Sequence, residues 1–236
     1  MPKKPITLSF SLYKLGDDMF IVQSRLLLLL FFCLVLQGCG SNPIPMVSRV
    51  AVPDVTALPA DELSRPLRLD RVVFDVPKGT VLGEKRQGNR CVSPSPLIWE
   101  EVLEHDRGDY QREFERIVKQ YNFRLAGKPA SPLEAKLMRT ELRVAAKIVV
   151  TAQNICSAGT SGERPIRKGN VRFFVRWEVF SVQAKQVVFV LENESSGVLE
   201  DFKPYSEDSD YVQAFGNALR GLLSNDEFRD EVLTFG

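Results

Sequence analysis

Two periods run along this chain from Leu67 onward. In RVAAKIVVTAQNIC, Val144, Ala146, Ile148, Val150 and Ala152 fall on one side of an extended backbone. Ala145, Lys147, Val149, Thr151 and Gln153 fall on the other, the period of two that a strand imposes. In NVRFFVRWEVFSV the inward set is Val171, Phe173, Val175, Trp177 and Val179, with Arg172, Arg176 and Glu178 outside. A third strand, Lys185 to Asn193, follows the tight Gln183-Ala184 connection, so three long strands in succession predict an antiparallel meander. Upstream, Leu67, Leu69, Val72 and Phe74 mark a strand, Pro77-Lys78-Gly79 a turn, and residues 80–83 a short second strand.

The helical period appears twice. From Asp109, a predicted N-cap, Tyr110, Phe114, Ile117, Val118 and Tyr121 recur on one face. After the acidic run Ser206 to Asp210, whose charge complements a helix N-terminus, Tyr211, Phe215, Ala218, Leu219 and Leu222 form a second apolar stripe. Leu97 to His105 reads as one or two helical turns and Pro132 to Arg139 as a short helix. Strands with one apolar face and helices with one stripe predict a two-layer α+β domain over residues 65–236, with an antiparallel meander sheet and two main helices.

The N-terminal third is different. Leu26 to Leu36 is an unbroken apolar run preceded by Arg25. At ~1.5 Å per residue it covers about half of a ~30 Å hydrocarbon core, which fits a secretory signal and is too short for a permanent span. The segment that follows, Leu36-Gln37-Gly38-Cys39, resembles the lipobox of bacterial lipoproteins. That resemblance implies cleavage before Cys39, a lipid on its thiol and acylation of its new amino group. Two or three acyl chains anchor a protein stably where one does not. Gln37 stands where a small or β-branched residue is more usual, which is expected to slow cleavage. Gly40 follows the cysteine where an Asp would favour inner-membrane retention in enteric-type bacteria, so the resemblance implies the outer membrane, periplasmic face. Asp17 and Asp18 do not suit a signal's positive leader, and the translated start is expected at Met19.

Residues 1–38 are thus read as signal peptide and residues 39–64 as a tether. Pro43, Pro45, Pro53 and Pro59 break any regular pattern there, and an extended chain of that length reaches up to ~75 Å at ~3.1 Å per residue.

Charge and cysteine count refine this picture. The 236 residues carry 31 Lys and Arg against 30 Asp and Glu, interspersed, which argues against nucleic acid as a partner. Removal of Lys3, Lys4, Lys14, Arg25, Asp17 and Asp18 with the signal leaves 27 against 28, a net charge of −1. With Cys33 discarded and Cys39 lipidated, Cys91 and Cys156 remain in an oxidising compartment and are expected to form one disulfide.

Catalytic signals are sparse. His105 is the single histidine, which excludes multi-histidine metal sites, and Asp106 beside it points elsewhere on a helix. Gly159-Thr160-Ser161-Gly162-Glu163 approaches a nucleophile elbow, but Glu163 replaces the second glycine and the segment joins strand to strand. Glu100, Glu101 and Glu104 read as a solvated helix face. Asp208 and Asp210 read as helix capping, since the glycine and terminal Glu of a calcium loop are missing. Arg164, Arg167 and Lys168 cluster on the expected hairpin loop, where they either contact an anionic partner or are merely solvated. No cofactor is expected.

The order strand, helix, three-strand meander with Arg176-Trp177-Glu178-Val179-Phe180, then a helix with Ala218-Leu219 and Leu222-Leu223, resembles small α+β domains of periplasmic lipoproteins. Among these are the N-terminal domain of TolB, the curli-export channel subunit and the activators of penicillin-binding proteins. The likeness is one of pattern, and no functional residue carries over. The expected function is a membrane-anchored periplasmic lipoprotein acting as a non-enzymatic binding or scaffold domain for an envelope protein complex. The alternatives are a subunit of an oligomeric secretion or export assembly and, third, a hydrolase using Ser161 or His105.

Overall fold

The computed structural model describes residues 44–100, 107–127, 140–159, 166–204 and 209–233. Along the chain these form β1 (Leu67–Phe74), β2 (Val81–Gln87), β3 (Val92–Ile98), α1 (Arg107–Gln120), β4 (Leu142–Ala158), β5 (Ile166–Ser181), β6 (Gln186–Pro204), α2 (Asp210–Leu223) and α3 (Asp226–Leu233). The predicted signal, the short helix over 132–139, and Cys39, Glu101, Glu104, His105, Asp106, Ser161, Arg164 and Asp208 lie outside the described residues.

The fold is α+β. A largely antiparallel sheet runs in the order β3-β2-β4-β5-β6, and β1 also pairs with β4. The expected meander is its centre: Ala146 lies opposite Trp177, and Trp177 opposite Leu191. β4 is long enough to share its other edge between two partners. β1 runs parallel to its first half, Leu67 against Leu142 to Phe74 against Ile148. β2 runs parallel to its last turn of pleat, Lys85 against Ile155 to Gln87 against Ser157. Parallel neighbours need a crossover, and the chain supplies one through β3 and α1 before returning in β4.

The predicted inward sets of β4 and β5 are buried: Val144, Ala146, Ile148 and Val150, with Val171, Phe173, Val175, Trp177 and Val179. α1 and α2 lay their stripes across this face. Phe215 packs against Trp177 with ring centroids 5.6 Å apart and edge-on against Tyr110 at 5.2 Å. α3 covers the far corner, where Phe228 meets Phe189 and Phe123. The opposite sheet face carries ion pairs, among them Arg176 between Glu178 and Glu192 and Arg172 with Glu194.

Four expectations are corrected. α1 begins at Arg107, so Asp109 sits in its first turn, paired with Arg112, and is not the N-cap. Leu97 and Ile98 belong to β3 and not to a helix, because they pair with Gly83 and Val81; β3 tolerates Pro94 and Pro96 because it is an edge strand. A register shift between Val150 and Ala152 exchanges the two faces, so Gln153 is buried where Ala152 was expected inward. Finally, the proline-rich segment is extended but does not stand free.

Residues 47–65 run the length of the domain as a docked strap. Val47 N–H donates to Asn170 Oδ1 at 3.0 Å and Val50 N–H to Ser196 Oγ at 3.0 Å. Pro53 lies over Gly221 in the groove between β6 and α2. Arg229 donates to the Thr56 carbonyl at 2.8 Å. Leu58 is buried, its N–H on the Tyr121 carbonyl at 3.0 Å and its own carbonyl accepting from Asn122 at 2.9 Å. Arg65 ends the strap at the other pole, donating to Thr140 O, Ser181 Oγ and Glu231. Prolines leave such a segment no ladder to join, so side chains of the domain satisfy its polar groups. Eight residue steps separate Cys39 from Val47; at ~3.3–3.6 Å each they could span less than about 30 Å at full extension. The ~75 Å reach expected of an undocked tether is accordingly cut by more than half.

Candidate functional site

The pole of the sheet where the strap begins holds most of the buried polar side chains. Asn154 on β4 and Asn170 on β5 are directly opposed. Asn154 Oδ1 accepts from Glu84 N–H at 2.9 Å, and Asn170 donates to the Pro45 carbonyl at 3.1 Å while accepting from Val47. The two amides thereby join β2, β4, β5 and the strap. β2 comes so close here that a Cβ on Gly83 would sit 2.2 Å from the Gln153 carbonyl oxygen. Tyr211 donates to Gln153 Oε1 at 2.7 Å, tying α2 to the same row.

At the centre is an ion pair. Asp210, in the first turn of α2, is 1% exposed, and Arg167 on β5 donates to its Oδ1 at 2.5 Å. Ser209 caps the helix, accepting from Val212 N–H at 3.2 Å. α2 can descend onto β6 here because Gly197 has no side chain: a Cβ would lie 1.8 Å from the Asp210 carbonyl oxygen. Burial pushes the Asp210 carboxyl above its ordinary range, opposed by the Arg167 charge and by backbone hydrogen bonds at Tyr211 and Asp210. Its Oδ2 is buried without a hydrogen-bond partner.

Cys91 and Cys156 form the expected disulfide, with Cα atoms 5.5 Å apart and a sequence separation of 65. It fastens the β2–β3 turn to the last residues of β4. The turn is also held by Gly88 N–H on the Ser157 carbonyl at 2.9 Å.

The basic cluster is placed differently from its expectation. Arg167 and Lys168 are strand residues of β5 and not loop residues. Arg167 is committed inward to Asp210 and stacks 5.9 Å from the Tyr211 ring centroid, so it is not presented to an outside anion. Lys168 rests its ammonium 4.8 Å from the centroid of Phe202. Of the predicted carboxylates, Glu100 is exposed and Asp210 is structural. Asn154, Asn170 and Ser196, which organise this pole, escaped sequence reading. Only Asn154 carries a signal, a polar residue at what the β period marks as an inward position; Asn170 neighbours the inward Val171, and Ser196 lies opposite the outward Arg172.

The enclosed Arg167–Asp210 pair holds charge but offers no reachable nucleophile or base. Among the described residues no three His, Cys, Asp or Glu side chains gather as a metal site. Two concavities among the described residues are open ones: a groove of about 380 Å³ bounded by Ala51, Pro53, Asn193 and Gly221, and one of about 220 Å³ on the charged sheet face beside Arg71, Lys147 and Arg176. Among the described residues no helix is long and apolar enough to cross a membrane.

No family model matches the chain, and no curated protein sequence matches it. Solved structures do. A Xanthomonas campestris protein of the DUF330 family is 10% identical, with 72% of this chain and 88% of that one covered and a TM-score of 0.33. A hypothetical protein of Chlamydia trachomatis is 14% identical over 70% and 98%, TM-score 0.31. A putative neuraminyllactose-binding hemagglutinin homolog from Helicobacter pylori is 9% identical over 79% and 97%, TM-score 0.31.

Proposed function

We propose that this chain is a lipoprotein, anchored through Cys39 on the periplasmic face of the outer membrane. It presents its stapled α+β domain as a binding or scaffold module for an envelope protein complex. The observation that carries this reading is the Cys91–Cys156 disulfide: both cysteines downstream of the lipobox are paired, as an oxidising compartment requires. The docking of the chain at Pro45 and Val47, within eight residues of Cys39, supports it, since a module held close to its membrane meets partners in that membrane.

Three steps test the proposal. Metabolic labelling with palmitate should mark the wild-type chain, and Cys39→Ser should lose both label and membrane fractionation. Crosslinking of the lipidated protein in intact cells should then recover a reproducible envelope protein. An unlabelled wild-type chain ends the anchor reading, and labelled protein without a partner ends the scaffold reading.

A second reading, a subunit of an oligomeric secretion or export assembly, is favoured by one observation. β6 is an edge strand with Val187 and Val190 exposed near its start, and such an edge can accept a strand from another subunit. Mass photometry of the lipidated protein in detergent distinguishes a ring from a monomer.

A further inference from the structure

We infer that the strap-entry pole of the domain is a phospholipid-contacting surface, so that the sheet stands end-on to the membrane that holds Cys39. The inference rests on the anchor reading above and adds an orientation and a contact to it. Three observations converge on this pole.

The first is chain length. The strap docks at Pro45 and Val47 on Asn170, and the eight steps back to Cys39 confine this end of the domain to within about 30 Å of the lipid at full extension. Nothing comparable restrains the opposite pole. From Arg167 to Ser181 is fourteen steps of continuous strand, so at ~3.3 Å per step the β5–β6 hairpin stands about 46 Å away along the sheet.

The second is charge. Arg90 in the β2–β3 turn, Lys168 on β5 and Lys203 on β6 lie in this end of the sheet, by their register with Cys156 and Ser157 of β4. The nearby acids are largely matched within the domain: Asp210 by Arg167, Glu84 by Arg86 and Glu200 by Arg49. Among the described residues Asp201 is the acid left against Arg90 and Lys168. Lipid phosphates are acceptors suited to those cations.

The third is the apolar component. Met46 and Val92 are exposed at this end, and Phe202 lies under the Lys168 ammonium. An aromatic ring topped by a cation is the arrangement that seats a side chain at the headgroup boundary, with the ring toward the acyl chains and the charge at the phosphate.

The test uses the full lipidated chain in vesicles of phosphatidylethanolamine and phosphatidylglycerol. A photo-crosslinking phenylalanine analogue is placed at Val92 in one preparation and at Val187, near the distal hairpin, in another. Mass spectrometry of the Cys39 peptide first establishes acylation. With Cys39 acylated, Val92 should give several-fold more lipid adduct than Val187, and the double charge reversal R90E/K168E should lower the Val92 yield. Equal yields at the two positions, or a Val92 yield unmoved by charge reversal, overturn the contact while leaving the anchor intact. An unacylated Cys39 overturns the anchor reading and this inference with it.

Discussion

Arg167 and Asp210 form a buried ion pair that joins the opening of β5 to the first turn of α2, with 2.5 Å between donor and acceptor and side chains 12% and 1% exposed. A pair this enclosed gives little net stability, but breaking it strands a charge. Arg167→Met should therefore destabilise the domain by about 3 kcal/mol, within the range for an uncompensated buried carboxylate. The double variant Arg167→Met with Asp210→Asn should recover part of the loss, because the amide carries no charge to desolvate. Urea unfolding of the three proteins measures both effects. A double variant no more stable than Arg167→Met would show that the guanidinium acts through packing alone.

The same carboxyl makes stability depend on pH in an unusual direction. Burial holds the folded-state pKa of Asp210 above its ordinary 3.8, so the folded chain keeps this proton to higher pH than the unfolded chain does. The contribution is complete below the unfolded value and is lost as pH rises through the folded one. Asp210→Asn lacks the titration and mimics the protonated state. Wild-type stability minus that of Asp210→Asn should thus fall as pH is raised above about 4, as read from denaturation at stepped pH. A difference that grows with pH would show that Arg167, and not burial, dominates the carboxyl's environment.

The disulfide closes a 65-residue separation between Cys91 and Cys156. The chain-entropy relation assigns such a loop about 4 kcal/mol, a large share of a domain's net stability. Cys91→Ser with Cys156→Ser should lower the unfolding free energy by that order and leave the purified domain sensitive to proteolysis at the β2–β3 turn. Calorimetry with and without reductant on the wild-type chain gives the same comparison without mutation.

How far the sequence carried these features follows from the range of the interactions that build them. The meander was legible because Val144, Ala146 and Ile148, and Val171 to Val179, alternate in a period set by the strand itself. The helical stripes at Tyr110 and Tyr211 were legible for the equivalent reason. The parallel docking of β1 and β2 on β4 was not, since register between distant segments leaves no local mark. β3 was hidden by Pro94 and Pro96, and the face exchange after Val150 by a bulge that strict alternation cannot express. At the candidate site, the pairing of Cys91 with Cys156 followed from counting thiols, whereas Arg167 was read as loop because β5 starts at Ile166 and not at Asn170. The strap was invisible for a related reason. Its partners Asn170, Ser196 and Asn122 are remote in sequence, and the prolines that exclude it from a ladder look the same in a free linker.

That strap carries the last prediction. Two parts of it are held by different physics: Leu58 is buried among apolar side chains, while Val47 and Val50 hang on the side chains of Asn170 and Ser196. Leu58→Ala should cost about 2–5 kcal/mol of global stability through the cavity it leaves. Asn170→Ala removes acceptors and donors at the entry pole only, so its effect should be local. At a net ~1 kcal/mol per hydrogen bond, amide exchange at Val47 should accelerate about five- to tenfold while core amides of β5 change little. Exchange mass spectrometry of both variants separates the two cases. If Val47 and Val50 exchange at unprotected rates in the wild-type chain, the segment is an undocked tether and the strap is overturned.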